Sequence, residues 1–204
     1  MDLLALAIAR EFRDVDTDRA IGVLDALGAE LAQTAGETAG APETVARACS
    51  HLLGEQHGFR GDRENYDDPD NSMLDLVLAK RTGLPILLSV VYIEVARRAA
   101  IPMGGVGLPG HFVVAHFGAD PPLLLDPFER GAVMGAPVGH EVLRPWRPHE
   151  IAMRMLNNLV GSCERRADLS AAIHAATMRL ALPADPSLAP TLRAELRALQ
   201  ARLN

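Results

Sequence analysis

Cysteine and histidine, the side chains that most often carry nucleophilic or metal chemistry, are not grouped here in the spacings of familiar sites. The two cysteines, Cys49 and Cys163, form neither a CxxC motif nor a disulfide scaffold, and both lie in helical patterns that favour buried packing. Five histidines are scattered without ligand spacing: His51, His57, His140, His149 and His174. We expect no metal and no cofactor, although His111, Asp126 and a third residue could meet in space at a zinc site.

One acidic run, RGDRENYDDPD at residues 60–70, contains five carboxylates and no aliphatic side chain. We interpret it as a solvated loop, the usual meaning of such a run. A calcium loop is the alternative interpretation. The run lacks the glycine in the sixth place and the glutamate in the twelfth that an EF-hand requires.

The composition is that of a soluble globular domain, with 204 residues, of which 49% are hydrophobic and 23% are charged. A net charge of −6 and an aromatic content of 4% argue against nucleic-acid binding, which uses a basic face and stacking platforms. No apolar run reaches the ~18 residues of a membrane span. The first segment, MDLLALAIAREF, lacks the basic region and cleavage site of a signal peptide. We therefore expect a cytoplasmic protein with neither nucleic-acid nor membrane partners.

The elements that would position reactive side chains follow from hydrophobic periodicity. Apolar residues at helical spacing predict helices over residues 1–60. Asn71 or Ser72 is placed to cap the helix that follows. Pro85 then opens the segment PILLSVVYIEVARRAA, which is apolar almost all round as far as Ile93 and is therefore predicted to be buried. Its β-branched residues would also allow a strand, but its length and the basic end at Arg97 and Arg98 favour a helix.

Residues 103–128 have a different, strand-like pattern. In HFVVAHF, a strand places His111, Val113 and Ala115 on one face, and the following PPLLLDPF completes an antiparallel hairpin. From Pro148 the helical pattern returns. The order predicts an α+β domain in three parts: helices over 1–60, a core over 61–147 and helices over 148–204.

The motifs of the central block occur in a recognisable order. GLP opens the buried helix, VARRAAIP closes it, PGHF begins a strand and LLLDPF ends the next strand. This order resembles the transglutaminase-like superfamily, which has a papain-like core, and in particular its SirB-type branch. The resemblance covers roughly residues 55–160. It implies a central buried helix packed on a small antiparallel sheet, with flanking helices on both sides.

The resemblance also implies a site. In the superfamily a cysteine heads the buried helix, a histidine takes its proton and an aspartate orients the histidine. The histidine and aspartate positions fall on His111 and Asp126, whose separation suits a hairpin when both face the same side. The cysteine position falls on Pro85, which suits a first helical turn but has no nucleophilic atom. The resemblance to the SirB-type branch implies that a Gly-x-Pro sequence, here Gly83 to Pro85, is usual at this position in that branch.

Each of these residues has two interpretations. His111 and Asp126 are either a surviving catalytic pair or a buried hydrogen-bonded pair that joins two strands. Ser89, one turn after Pro85, is either a replacement nucleophile or a helical serine bonded to the Pro85 carbonyl. Asn71 either caps a helix or donates into the cleft.

Two classes of function remain open. The first is a non-catalytic or regulatory module whose degenerate cleft binds a peptide or protein partner, with Asn71, Pro85 and Tyr92 as binding residues. Tyr92 is predicted to be a core residue with a paired hydroxyl. The second class is an amide hydrolase or acyl transferase that uses His111 as base and water or Ser89 as nucleophile. The missing thiol favours the first class, and the sequence does not indicate an oligomeric state.

Overall fold

A computed structural model describes residues 1–36, 40–135 and 143–203, and confirms the predicted α+β class. Of the histidines named above, His140 lies outside the described residues. The helices are α1 (Asp2–Arg10), α2 (Thr17–Gly36), α3 (Pro42–Cys49), α4 (Leu74–Lys80), α5 (Pro85–Arg98), α6 (Pro148–Arg165), α7 (Leu169–Arg179) and α8 (Ala189–Ala201). The strands are β1 (Arg60–Gly61), β2 (Thr82–Gly83), β3 (Met103–Leu108), β4 (His111–His116), β5 (Leu123–Asp126) and β6 (Ala132–Met134). Shorter helical segments are the π-helical Ser50–Gln56 and 3-10 turns at Pro69–Ser72, Pro127–Glu129 and Pro186–Leu188.

The central sheet has the order β3-β4-β5-β6, and all neighbouring strands are antiparallel. The predicted hairpin is the β4–β5 pair, in which Val114 lies opposite Leu125. A separate parallel pair joins β1 to β2 and brings Arg60 opposite Thr82. The acidic run at 60–70 was predicted to be a loop throughout. That prediction is wrong at its two ends, which belong to strand β1 and to the 3-10 turn at Pro69–Ser72.

Helix α5 is the centre of the fold, as predicted. Its residues from Pro85 to Tyr92 are buried, and α2 and the sheet pack on it. Alternation along β4 divides the sheet faces. Phe112 and Val114 join the core cluster that contains α5, whereas Val113 belongs to a smaller cluster on the opposite face. Among the helices of the described ranges, none combines the length and apolar character needed to cross a membrane.

The predicted cap of α4 is wrong. Its N-cap is Met73, and Asn71 and Ser72 are buried in the 3-10 turn that precedes it. The reason is that the Asn71 amide is used elsewhere: its Nδ2 donates to the Asn65 carbonyl at 2.7 Å and to Asp62 Oδ2 at 3.2 Å. The Asn71 side chain therefore bonds to the preceding acidic run instead of capping the helix that follows.

Candidate functional site

The hairpin joins the two residues predicted to form a pair. His111 Nε2 and Asp126 Oδ2 are 2.8 Å apart, and Asp126 Oδ1 accepts a hydrogen bond from the Phe128 N–H at 2.9 Å. Asp126 is buried, whereas the side chain of His111 is 28% exposed. In the tautomer whose Nε2–H donates to the carboxylate, the lone pair of Nδ1 is free to accept a proton. An imidazole oriented in this way and partly accessible can act as a general base.

The topology predicts that the pair lies at the end of the sheet where α5 begins. A short link, residues 99–102, joins α5 to β3, and the helix packs on β3 and β4. The start of α5 is therefore expected near the end of β3 and the start of β4, which is His111. By alternation, however, His111 shares the face of Val113 rather than the face that α5 covers. That the pair faces the first turn of α5 stays a prediction.

The first residue of α5 is Pro85, which follows an extended Leu84. Proline fits this position because its fixed φ is helical and an N–H is not needed there. Neither thiol can substitute for the absent one. Burial raises the pKa of Cys49 to about 12 and also raises the pKa of Cys163, so both remain neutral near pH 7.

Two hydroxyls on α5 do not make the hydrogen bonds that were predicted for them. Ser89 is fully buried, and in the described part of the chain its hydroxyl has no hydrogen-bond partner, so the predicted bond to the Pro85 carbonyl is wrong. Tyr92 is a core residue as predicted, but its hydroxyl also lacks a partner among the described residues. The hydroxyl lies against the left-handed turn at Gly131, where an added Cβ would be 2.8 Å from it. Burial raises the pKa of Tyr92 above its ordinary value.

We expect Tyr92→Phe to leave stability unchanged or to raise it by up to about 1 kcal/mol, because a buried hydroxyl without a partner costs about 1–3 kcal/mol. Urea unfolding of the two proteins measures the difference. Tyr66→Phe, at a tyrosine that is 46% exposed, is the matched control and should have no effect. A loss of more than about 1 kcal/mol for Tyr92→Phe would mean that the hydroxyl has a partner in solution.

A cleft of 520 Å³ lies beside the pair, between β1 with the start of the acidic run and the turn after β5. Phe128 connects the two, since its ring meets that of His111 edge-on at 6.4 Å and also lines the cleft. The lining residues are Arg60, Gly61, Asp62, Arg63, Glu64, Asn65, Thr82, Phe128, Glu129 and Arg130. Neither Phe128 nor the arginines were predicted from the sequence as site residues, although Phe128 belongs to the DPF motif.

The predicted binding residues Asn71, Pro85 and Tyr92 are all buried, so they can act on a ligand only by supporting the cleft. Asn71 has the clearest such role. Its side chain holds Asp62 and Asn65 in the cleft wall, and its backbone carbonyl accepts from the Leu84 N–H at 3.2 Å. It therefore ties the acidic run to the start of α5. Within residues 1–36, 40–135 and 143–203, no three His, Cys, Asp or Glu side chains are grouped as metal ligands.

Comparison with known proteins identifies a family and several relatives. A family model described as transglutaminase-like superfamily matches residues 18–155. The UPF0162 protein of Xylella fastidiosa (strain 9a5c) is 38% identical over 142 residues, which is 69% of this chain and 50% of that protein. The UPF0162 protein of Vibrio cholerae is 30% identical over 47% of this chain and 34% of that protein. Mouse F-box only protein 21 is 37% identical over 70 residues, 34% of this chain and 11% of that protein.

The chain spans about half the length of the Xylella relatives that it matches. No solved structure matches it.

Proposed function

The chain belongs to the transglutaminase-like superfamily, and from this premise we propose that it is a non-catalytic binding module whose cleft holds a peptide segment without cleaving it. Pro85 carries the proposal. It stands at the first residue of the central helix, where the superfamily resemblance assigns the nucleophilic thiol. A peptide bound beside His111 and Asp126 would then meet a base without a nucleophile. The proposed role of the cleft is therefore regulatory rather than catalytic.

Other side chains support the same conclusion. Both cysteines are buried and their pKa values are raised, so neither is a thiolate near neutral pH. The Ser89 hydroxyl is fully buried, which keeps it from a peptide carbonyl. The second candidate function is an amide hydrolase or acyl transferase with water as the nucleophile. The accessible side chain of His111, oriented by Asp126, favours that candidate.

Retention of peptides tests the binding role. A mixture of synthetic peptides is passed with the protein through a size-exclusion column, and the peptides that co-elute are counted. We expect the wild type to retain peptides, and Phe128→Ala to lose most of them, because Phe128 forms the wall between the cleft and His111.

Two further variants distinguish a loss of binding from a loss of the fold. Tyr66→Ala removes a 46% exposed ring that lies 6.1 Å from Phe128, and it should weaken retention with little effect on the fold. Leu188→Ala removes an apolar side chain of similar exposure, 47%, far along the chain, and retention should be unchanged. Absence of retention by the wild type, or equal retention by all four proteins, would reject the proposed cleft.

A further inference from the structure

We propose that the segment held in this cleft is acidic and extended, and that Arg60 and Arg130 hold its carboxylates. This inference rests on the proposed peptide-binding function and names the class of peptide. It starts from the charges that line the cleft. Three arginines and three carboxylates line the cleft, so their formal charges cancel. The carboxylates, however, have more partners within the protein than the arginines have.

The carboxylates are largely satisfied by the protein itself. Glu129 forms an ion pair with Arg63. Asp62 accepts from the Asn65 N–H at 2.9 Å and from Asn71 Nδ2 at 3.2 Å. Glu64 is exposed and is the one acidic side chain of the lining for which the described residues provide no partner.

The arginines are less well satisfied. Arg60 donates to the Gly58 carbonyl at 3.3 Å, and within the described parts of the chain neither Arg60 nor Arg130 forms an ion pair with a carboxylate. Both are exposed. The cleft therefore presents two guanidinium groups with free donors against one free carboxylate, in a chain whose net charge is −6. Guanidinium groups bind carboxylates in a planar, bidentate geometry.

The backbone of β1 favours a peptide over a free anion. The Arg60 N–H bonds to the Arg81 carbonyl at 3.0 Å and the Asp62 N–H to the Gly83 carbonyl at 3.2 Å, so both residues direct their N–H groups toward β2. Since a strand alternates, Gly61 directs its N–H and carbonyl to the other edge. That edge has no neighbouring strand among the described residues. An extended peptide can pair with such an edge while its side chains meet the flanking groups.

Phe128 gives the cleft an apolar wall. Its ring lies on Gly61, where an added Cβ would be 2.4 Å from three ring atoms, and Arg63 stacks over the ring at 5.5 Å. Only a residue without a side chain leaves room for the ring beside the strand. A peptide in which carboxylates alternate with apolar side chains would match the arginines on one side and this ring on the other.

Fluorescence anisotropy with three labelled peptides of equal length tests the inference. They share apolar residues at alternate positions and carry Glu, Gln or Lys between them. We expect the Glu peptide to bind most tightly and to weaken with added salt, because exposed charges are screened. Arg60→Glu and Arg130→Glu should each weaken binding of the Glu peptide about tenfold or more. Arg47→Glu, at an exposed arginine on α3, is the matched control and should change it less than about twofold.

The outcomes separate the inference from the function on which it rests. Equal or tighter binding of the Gln or Lys peptide would overturn the acidic class and leave peptide binding standing. Binding of a labelled oligonucleotide as tight as that of the Glu peptide would also overturn it, because any polyanion would then suffice. Failure to bind all three peptides would remove both proposals. If a reversal lowers the melting temperature, Arg60→Gln and Arg130→Gln replace it, and an unchanged affinity in these variants overturns the role of the arginines.

Discussion

Replacing Pro85 by cysteine is expected to create an unusually acidic thiol, with a pKa of about 3.5–7.5 instead of a reference near 8.5. Two causes act together. The first turn of α5 favours negative charge through its unpaired N–H groups and dipole. His111 at the same end of the sheet can take the proton and form an ion pair. Burial of the position opposes both, so a low pKa requires His111 to be close.

The fold should tolerate this change, because a proline at the first helical position contributes mainly a preset φ, worth about 0.4–1 kcal/mol. The thiol is titrated by its ultraviolet thiolate absorbance and by the pH dependence of iodoacetamide labelling, with Cys49 and Cys163 replaced by alanine. Pro42→Cys is a matched control, since Pro42 is also the first residue of a helix, α3.

We expect the thiol of Pro85→Cys to titrate below that of Pro42→Cys, and the addition of His111→Ala to raise its pKa. Identical titration of the two thiols, with or without His111, would mean that the nucleophile position and the His111–Asp126 pair do not meet. The family assignment would survive that result, but the position of the cleft relative to α5 would be wrong.

Gly54→Ala is expected to destabilise the protein by about 3 kcal/mol, the upper part of the range for overpacking. Gly54 lies in the π-helical segment, and an added Cβ would be 1.9 Å from the Arg130 carbonyl oxygen. The three nearest atoms all belong to the Arg130 backbone, so no side-chain rotation can relieve the clash. Arg130 itself has a left-handed φ of 56° and is followed by Gly131 at 76°, which leaves the turn little freedom to move.

Urea unfolding measures the loss, and Gly22→Ala provides the control. Gly22 lies in α2, and an added Cβ meets no described atom within 4 Å. That change should stabilise by about 0.5–1 kcal/mol, the difference in helix propensity. A similar gain for Gly54→Ala would contradict the close approach. Because the same turn carries Arg130, the surviving folded fraction of Gly54→Ala should also bind the acidic peptide more weakly.

The helix and the hairpin could be predicted because their causes are local. PILLSVVYIEVARRAA is apolar almost all round as far as Ile93, and its length and basic end favour a buried helix over a strand. The alternation in HFVVAHF and the turn before PPLLLDPF define a hairpin, and the alternation also places His111 and Asp126 on one side.

The remaining features depend on contacts between distant segments. Strands β1 and β2 are two residues each, too short to have a pattern, and they exist because the segment at Arg60 meets the segment at Thr82. The π-helical turn lies where Gly54 meets Arg130, 76 positions later in the chain. The cleft has the same origin, since its two walls are more than sixty positions apart in the sequence.

The most direct test of binding without chemistry is the mass of the peptides after contact with the protein. Peptides of the synthetic mixture are incubated with wild type and with His111→Ala, and both the retained and the free fractions are analysed by mass spectrometry. The proposed role predicts retained peptides whose masses are unchanged in both proteins. Peptides that are cleaved, deamidated or joined by the wild type, and left intact by His111→Ala, would contradict it and establish His111 as the base of an enzyme.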